Sequence, residues 1–439
     1  MSHRIVVVGG GAGGLELATK LGRKLGKKGK AKITLVDANL THIWKPLLHE
    51  VATGSLNNNE NELNYVAQAK WNFFEFQIGK MCGINRASKQ IELAATLDDK
   101  GKELVPARHI HYDTLIIAVG SITNDFGTPG AKEHCLFLDT QANALDFHRQ
   151  LLAQYLTAQA TADEGEGEGA KKDISIAIVG AGATGVELAA ELRNASQMLS
   201  SYGLDKIKPE DMTINVIEAG PRILPALSEK IAQDVHRELL KIDVRVLTNS
   251  AVADITATGL TTKDGKHIPA NLKVWAAGVR CPDFLKDFGG LETNRINQIV
   301  VNKNLQSTRD ENIFALGDCA ACALDDGSGR NVPPRAQAAH QQASLLAKTM
   351  KLRIEGKTNY PEYSYKDYGS LVSLSRFSAV GNLMGTVMRS VNVEGWLARM
   401  FYISLYRLHQ IALYGFFRTG LLMISDNIGK RTHPRMKLH

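Results

Sequence analysis

Two glycine clusters stand where backbone can meet phosphate. Residues 5–21, IVVVGGGAGGLELATKL, place Gly9, Gly11 and Gly14 at G-x-G-x-x-G spacing, with Gly13 between, directly after a β-branched run. Residues 176–192, IAIVGAGATGVELAAEL, repeat the pattern 171 positions later with Gly180, Gly182 and Gly185. The chemistry such spacing serves is pyrophosphate binding. The first glycine permits a tight turn, the second lets backbone approach phosphate at a helix N-terminus, and the third lets helix and strand pack closely. Each cluster is followed by a second strand-like run with an acid at its end: Asp37 in KITLVD and Glu218 in INVIEA. A carboxylate there accepts hydrogen bonds from ribose hydroxyls. It also repels a 2′-phosphate, so the second site is expected to prefer NADH to NADPH. Two copies, each with its acid, predict two bound dinucleotides.

The elements that position these clusters follow from patterning. Both clusters sit in strand–turn–helix–strand units, and further strand-like runs are TLIIAVG (114–120), KVWAAGV (273–279) and NIFALGD (312–318). Between the copies, DEGEGEGA (163–170) reads as a solvated loop near a domain boundary. The expected fold is α/β, with two Rossmann-like dinucleotide-binding domains and a C-terminal amphipathic helical region. In flavoproteins of this architecture a late strand ends in Gly-Asp, whose aspartate contacts the flavin ribityl chain or pyrophosphate; Gly317 and Asp318 stand there. That assigns FAD to the first copy and NADH to the second. The expected division is a split FAD domain (1–125 and 296–350), an inserted NADH domain (126–295) and a membrane-associating region (351–439).

Composition sets bounds. The 439 residues suffice for two or three domains, and 44% apolar with 22% charged residues is ordinary globular composition. The first apolar run, Ile5 to Val8, is too short for a secretory signal. Five scattered cysteines form no disulfide framework, which predicts an intracellular chain with reduced thiols. Cys319-Ala-Ala-Cys322 cannot complete a tetrahedral zinc set alone, and the pair is expected to be structural, with no metal site. The net charge of +7 is uneven: residues 351–439 hold thirteen Lys/Arg against five Asp/Glu. That excess predicts an acidic partner surface. Residues 396–424, WLARMFYISLYRLHQIALYGFFRTGLLMI, are too often interrupted by charge to span a bilayer. On a helix, Arg399, Arg407, Gln410, Tyr414 and Arg418 share one arc, opposite Leu397, Phe401, Leu405, Leu408, Ala412 and Phe416. With the basic GKRTHPRMKLH tail, this predicts helices lying in a membrane interface, arginines toward anionic headgroups. The interleaved aromatics suit lipid better than nucleic acid, so no nucleic-acid partner is expected.

In these motifs and their order the chain resembles the two-dinucleotide-binding-domain flavoprotein superfamily, and within it the bacterial type II NADH dehydrogenases, the non-proton-pumping NADH:quinone oxidoreductases. The resemblance rests on GGGAGGLELA, HIWKPLLHEVATGSL (42–56), GAGATGVELAAEL, VWAAGV, FALGDCA, PPRAQAAHQQA (333–343) and the aromatic basic C-terminus, which together span essentially the whole chain. It implies non-covalent FAD held by the first glycines with Asp37, Lys45, Gly120, Asp318 and Gln337. It implies NADH, as substrate, held by the second set with Glu187, Glu218 and Gly278. Gln337 and Gln341, four apart and so on one helix face, would lie near flavin and quinone, with Pro46 and Leu47 shaping the quinone pocket. Glu187 would stand between nicotinamide and flavin. The implied reaction passes a hydride from NADH to flavin N5 and then two electrons to ubiquinone or menaquinone. The implied setting is peripheral, on the cytoplasmic face of the bacterial inner membrane, with a homodimer as a further expectation. The alternative is an NADH-dependent flavin reductase of a protein or disulfide acceptor.

Overall fold

The computed structural model describes residues 2–432 apart from 57–61, 99, 162–173, 205, 376–377, 384–390 and 395–405. Two sheets repeat one plan. The first has six strands in the spatial order Gln306–Ser307, Asp310–Ala315, Thr114–Ile117, His3–Val8, Ala31–Asp37, Glu75–Ile78. All its pairs are parallel except the antiparallel edge at 306–307. The second has five strands, parallel throughout: Leu136–Phe137, Leu272–Trp275, Ile174–Val179, Met212–Ile217, Val244–Leu247. Parallel strands are covered on both faces and therefore read as unbroken Val/Ile runs; Ile5, Val6, Val7, Ile176 and Ile178 are all buried.

In each sheet the strand before the glycine cluster is flanked on both sides. Val8 pairs with Ile117 and Val36, and Val179 with Trp275 and Ile217. The chain winds outward from that strand in one direction and then returns to its other side. Both glycine turns thus open at the carboxyl end of a strand, beside the point where strand order reverses, the place where such sheets bind ligands. Ile122–Thr123 and Val279–Arg280 pair antiparallel, so the chain leaves and re-enters the first sheet side by side. The acidic DEGEGEGA stretch lies outside the described residues.

The C-terminal region carries the expected helices, and strands that the sequence reading did not anticipate precede them. Gly369–Leu374, Ser378–Leu383 and Val391–Glu394 form an antiparallel three-stranded sheet. Val372 and Leu374 are buried in the core of the second sheet's domain. Helix follows over 406–414 and Phe416–Thr432, broken at Gly415, whose φ of 80° no continuing helix adopts. The polar arc is divided: Gln410 is buried and accepts from Arg407 Nη1 at 2.6 Å, while Arg418 is exposed. Leu408 and Phe416, on the opposite arc, are exposed. Leu397, Arg399, Phe401, Leu405 and residues 433–439 fall outside the described residues. Among the described residues, no helix is long and apolar enough to cross a membrane.

Candidate active site

Both glycine turns have the same three-part geometry. Gly9 and Gly180 have φ of 101° and 103°, the left-handed side that side chains resist. A Cβ there would lie 2.3 Å from Ala118 O or 2.7 Å from Ala277 Cα. A Cβ on Gly14 would lie 1.9 Å from Gly9 O, and one on Gly185 2.0 Å from Gly180 O, so each helix seats directly on its turn. The middle glycines behave differently. Gly11 and Gly182 are extended, and a Cβ on either meets nothing within 4 Å. That clear space lies at the N-termini of the helices Ala12–Leu21 and Ala183–Ser201, neither of which carries a side-chain cap or an acid in its first turn. Their first N–H groups lack intrahelical partners, and a pyrophosphate fits there.

The two acids close both turns alike. Asp37 Oδ2 accepts from Gly10 N at 2.6 Å, and Glu218 Oε2 from Ala181 N at 2.9 Å. Their other oxygens accept from Asn39 N and Gly220 N, both at 2.8 Å. Each carboxylate is thereby fixed beside the cleared space, and burial raises the pKa of Asp37. Tyr65 adds a constraint on the first turn: its hydroxyl donates to Gly10 O at 2.8 Å, where a Gly10 Cβ would clash at 2.4 Å.

A second group of residues gathers where the late strand ends. Ser121 Oγ donates to Asp318 Oδ2 at 2.7 Å, and Gln298 Nε2 to Asp318 O at 2.8 Å. Lys45 Nζ donates to Ser121 O at 2.8 Å and lies 3.3 Å from Asp139 Oδ1. Its charge is matched here by Asp139. Gly120 (φ 71°) has open space where a Cβ would point, whereas a Cβ on Gly278 (φ 68°) would strike Phe126. Gly317 N donates to Gln342 Oε1 at 2.6 Å, and Gln342 is 1% exposed. Gln342→Ala is expected to strand that N–H, destabilising the chain by about 1–3 kcal/mol and loosening flavin retention. Chemical denaturation with flavin release as a second signal checks it.

Cys319 and Cys322 are buried and free. Burial pushes the Cys319 thiol up to about 11 and raises Cys322 as well. A thiol held protonated is a poor nucleophile. Iodoacetamide is expected to label exposed Cys82 and spare this pair. Replacing both with serine should cost stability, about 1–3 kcal/mol for each hydroxyl buried without a partner, and leave NADH oxidation largely intact; near-total loss of activity in the folded variant would contradict a structural role.

Glu187, on the helix that leaves the second turn, is 6% exposed. Its Oε1 accepts from Ser373 N at 3.1 Å, contributed by the C-terminal sheet. His49 Nδ1 lies 3.8 Å from its other oxygen. Burial, opposed by the Ser373 N–H and reinforced by the charges of Glu50 and Glu191, raises the Glu187 carboxyl to about 8. Burial lowers His49 to about 4. Both are neutral at pH 7, so the contact is not an ion pair.

Gln337 and Gln341 do share a helix face, but their amides are engaged. Gln337 Nε2 donates to Asp367 Oδ1 and Gly369 O, both at 3.2 Å, and its Oε1 accepts from Tyr368 N at 3.1 Å. Gln341 Nε2 donates to Lys366 O at 2.7 Å, and its Oε1 accepts from Lys366 N at 3.1 Å. In this structure both amides hold the segment 366–369. Leu47 is buried and Pro46 exposed, in the 3-10 turn Lys45–Leu47. Immediately before that turn, the Trp44 ring meets the His409 ring at a tilt (centroids 4.3 Å apart), and the His409 ring centre lies 5.3 Å from that of His42.

With this geometry in view, the chain was compared with known proteins. Residues 3–343 match the family model of the pyridine nucleotide-disulphide oxidoreductases. A type II NADH:quinone oxidoreductase of Haemophilus influenzae is 47% identical, covering 99% of this chain and 99% of its own. One from Staphylococcus aureus is 29% identical over 87% of this chain and 90% of its own. The chain belongs to the type II NADH:quinone oxidoreductases. NDH2 from Plasmodium falciparum, solved in complex with NADH, has the same fold, with TM-score 0.84 at 20% identity and full coverage of both chains.

For this type II oxidoreductase, several residues escaped sequence reasoning. Gln342 stands beside the two expected glutamines, but no periodicity says which one meets Gly317. His42 and His409 are both buried, with Nε2 atoms that find no hydrogen-bond partner among the described residues. Burial lowers both pKa values, His42 to about 4. His340 Nδ1 lies 2.7 Å from buried Glu16 Oε2. The only signal for the histidines was their presence inside otherwise apolar or aromatic stretches.

Proposed function

We propose that the chain carries electrons from NADH to a membrane quinone through FAD, without pumping protons. NADH:quinone oxidoreduction is the activity of its family. FAD is assigned to the Gly9–Gly14 turn with Asp37 and Asp318, and NADH to the Gly180–Gly185 turn with Glu218. The single observation that supports this most is the duplicated turn, in which only the middle glycine opens onto free space and an acid is fixed beside it.

A bound flavin supplies acceptance of a hydride and delivery of two electrons; the chain supplies placement. Glu218 meets the adenosine ribose of NADH and disfavours a 2′-phosphate. Glu187, a neutral carboxyl at pH 7, takes a position between nicotinamide and flavin. Gln337 and Gln341 act by holding residues 366–369, which lead into the strand that carries Ser373, while Pro46, Leu47 and the His42–Trp44–His409 cluster line the quinone approach. The uncovered apolar residues of the last helix support a peripheral seat on the cytoplasmic face of the bacterial inner membrane. A disulfide acceptor is disfavoured by the burial of Cys319 and Cys322.

Stopped-flow absorbance tests the reading. Bleaching of the flavin by NADH, then recovery on mixing with a short-chain quinone, is the expected sequence. Bleaching with no recovery would move the search to another acceptor.

A further inference from the structure

A basic run near the N-terminus serves neither dinucleotide turn. Residues 22–32, GRKLGKKGKAK, hold six Lys/Arg and no acid. Lys32 pairs with Glu75, whereas Lys24, Lys27, Lys28 and Lys30 are exposed. Folding sets this run against the C-terminal helices. Arg23 donates to Ala412 O at 3.3 Å and Leu413 O at 2.5 Å, carbonyls at the end of the 406–414 helix. Such carbonyls have no partner within their own helix.

An open pocket of about 480 Å³ lies at this junction, its walls including Arg23, Lys27, Trp71, Phe73, Tyr414 and Arg418. No carboxylate is among its eight lining residues. Arg418 lies 5.4 Å from the centre of the Trp71 ring, and Lys27 Nζ 5.3 Å from that of Phe73. Three cations thus converge with no compensating acid among the described residues lining the pocket. Burial, with the neighbouring charge of Arg418 adding to it, lowers the pKa of Arg23.

The surface beside the pocket is apolar. The helix Phe416–Thr432 exposes Phe416 (81%), Phe417 (80%), Leu421, Ile424 and Ile428, which helical spacing gathers onto one side. Trp71 and Phe73 are about half exposed at its foot. A phosphodiester answers the cations, acyl chains answer the helix, and tryptophan favours the boundary between them. Nucleic acid or a free nucleotide would match the charge and leave the apolar face uncovered.

We propose that the pocket between the 22–32 loop, Trp71 and the helix Phe416–Thr432 is a headgroup site for an anionic phospholipid. The proposal rests on the membrane-seated reading above and adds to it a site and a lipid class.

The test is co-sedimentation of the full, flavin-loaded chain with two vesicles: phosphatidylcholine alone, and equal parts phosphatidylcholine and phosphatidylglycerol. Three proteins are compared: wild type, Lys27→Gln/Arg418→Gln, and Lys28→Gln/Lys30→Gln, which removes the same charge outside the pocket. NADH oxidation with a water-soluble quinone in detergent confirms that the variants fold. The pocket variant is expected to bind phosphatidylglycerol vesicles about 10–30-fold more weakly, since each cation at an anionic surface contributes about a factor of five. Its binding to phosphatidylcholine should be unchanged, and the Lys28/Lys30 variant should lose much less. Equal losses in both variants, or none in the pocket variant, would overturn the site and leave the membrane reading standing. A wild type that binds neither vesicle would overturn both.

Discussion

Gly182→Val is expected to yield a folded, flavin-bearing protein that NADH barely reduces. This glycine differs from its neighbours in the turn. Gly180 needs φ of 103°, and a Cβ on Gly185 would sit 2.0 Å from a backbone oxygen, so substitution at either disturbs the fold itself. Gly182 is extended at φ −72° and ψ −175°, a conformation valine adopts, with nothing within 4 Å of its Cβ. The cost to the chain is at most about 1 kcal/mol, the scale of an altered helix N-cap. The cleared space, however, is the place assigned to the NADH pyrophosphate, and two methyl groups would fill it. Losing close backbone approach to a doubly charged group should weaken NADH binding by at least 100-fold, about 2.7 kcal/mol. Flavin absorbance and melting temperature check the fold; the NADH dependence of flavin bleaching checks the site. Normal bleaching at low NADH would remove the second turn from the nucleotide site. The matching change at Gly11 should instead cost flavin retention, and the contrast between the two variants tests the assignment of cofactor to turn.

What the sequence disclosed was what short-range geometry dictates. A turn, a close helix–strand approach and an acid at the next strand end all fall within about forty residues, each enforced by local sterics. Both glycine sites and the repeated sheet plan were therefore legible. The C-terminal strands were not. Ser373 reaches Glu187 across 186 positions, and Trp44 meets His409 across the whole first domain; no local propensity encodes such pairings. The glutamine pair shows the intermediate case. Spacing put both side chains on one face correctly, but what that face meets was decided by residues 366–369 folding back onto it. The last helices teach the same point about amphipathicity. Periodicity says that two faces differ; it does not say which one turns inward. Here part of the polar face does: Gln410 is buried against the body and accepts from Arg407, and Arg23 caps the 412 and 413 carbonyls, while Arg418 stays exposed.

Glu187→Gln should change how stability and rate respond to pH, and in a direction that fixes the cause. The Glu187 carboxyl ionises near pH 8 in the folded chain, mainly because burial disfavours its charge, against an ordinary carboxyl value of 4.5. Between those values the folded chain holds a proton that the unfolded chain has released. Stability from this group is fully present below about pH 4.5, declines as pH rises, and is gone above about pH 8. Glutamine keeps the shape and carries no charge. The variant should match wild type at pH 5 and exceed it at pH 9, by at most about 5 kcal/mol for a shift of this size. The gain will be smaller to the extent that Glu50 and Glu191 relax. Urea denaturation of both proteins at pH 5, 7 and 9 measures it, and parallel pH profiles would show that Glu187 ionises normally. The kinetic arm separates two roles. If Glu187 relays a proton, flavin reduction by NADH should fall by about 10²–10⁴ and lose its pH dependence near 8. If it only positions nicotinamide through the Ser373 contact, the rate should fall about tenfold in the first-order step, with the NADH dependence shifted by more than the limiting rate. His49, neutral and 3.8 Å away, offers no charge to hold the carboxylate once formed. Above pH 8 an unpaired anion would therefore sit in the seam between the two domains, and the wild-type enzyme should lose both stability and rate there together.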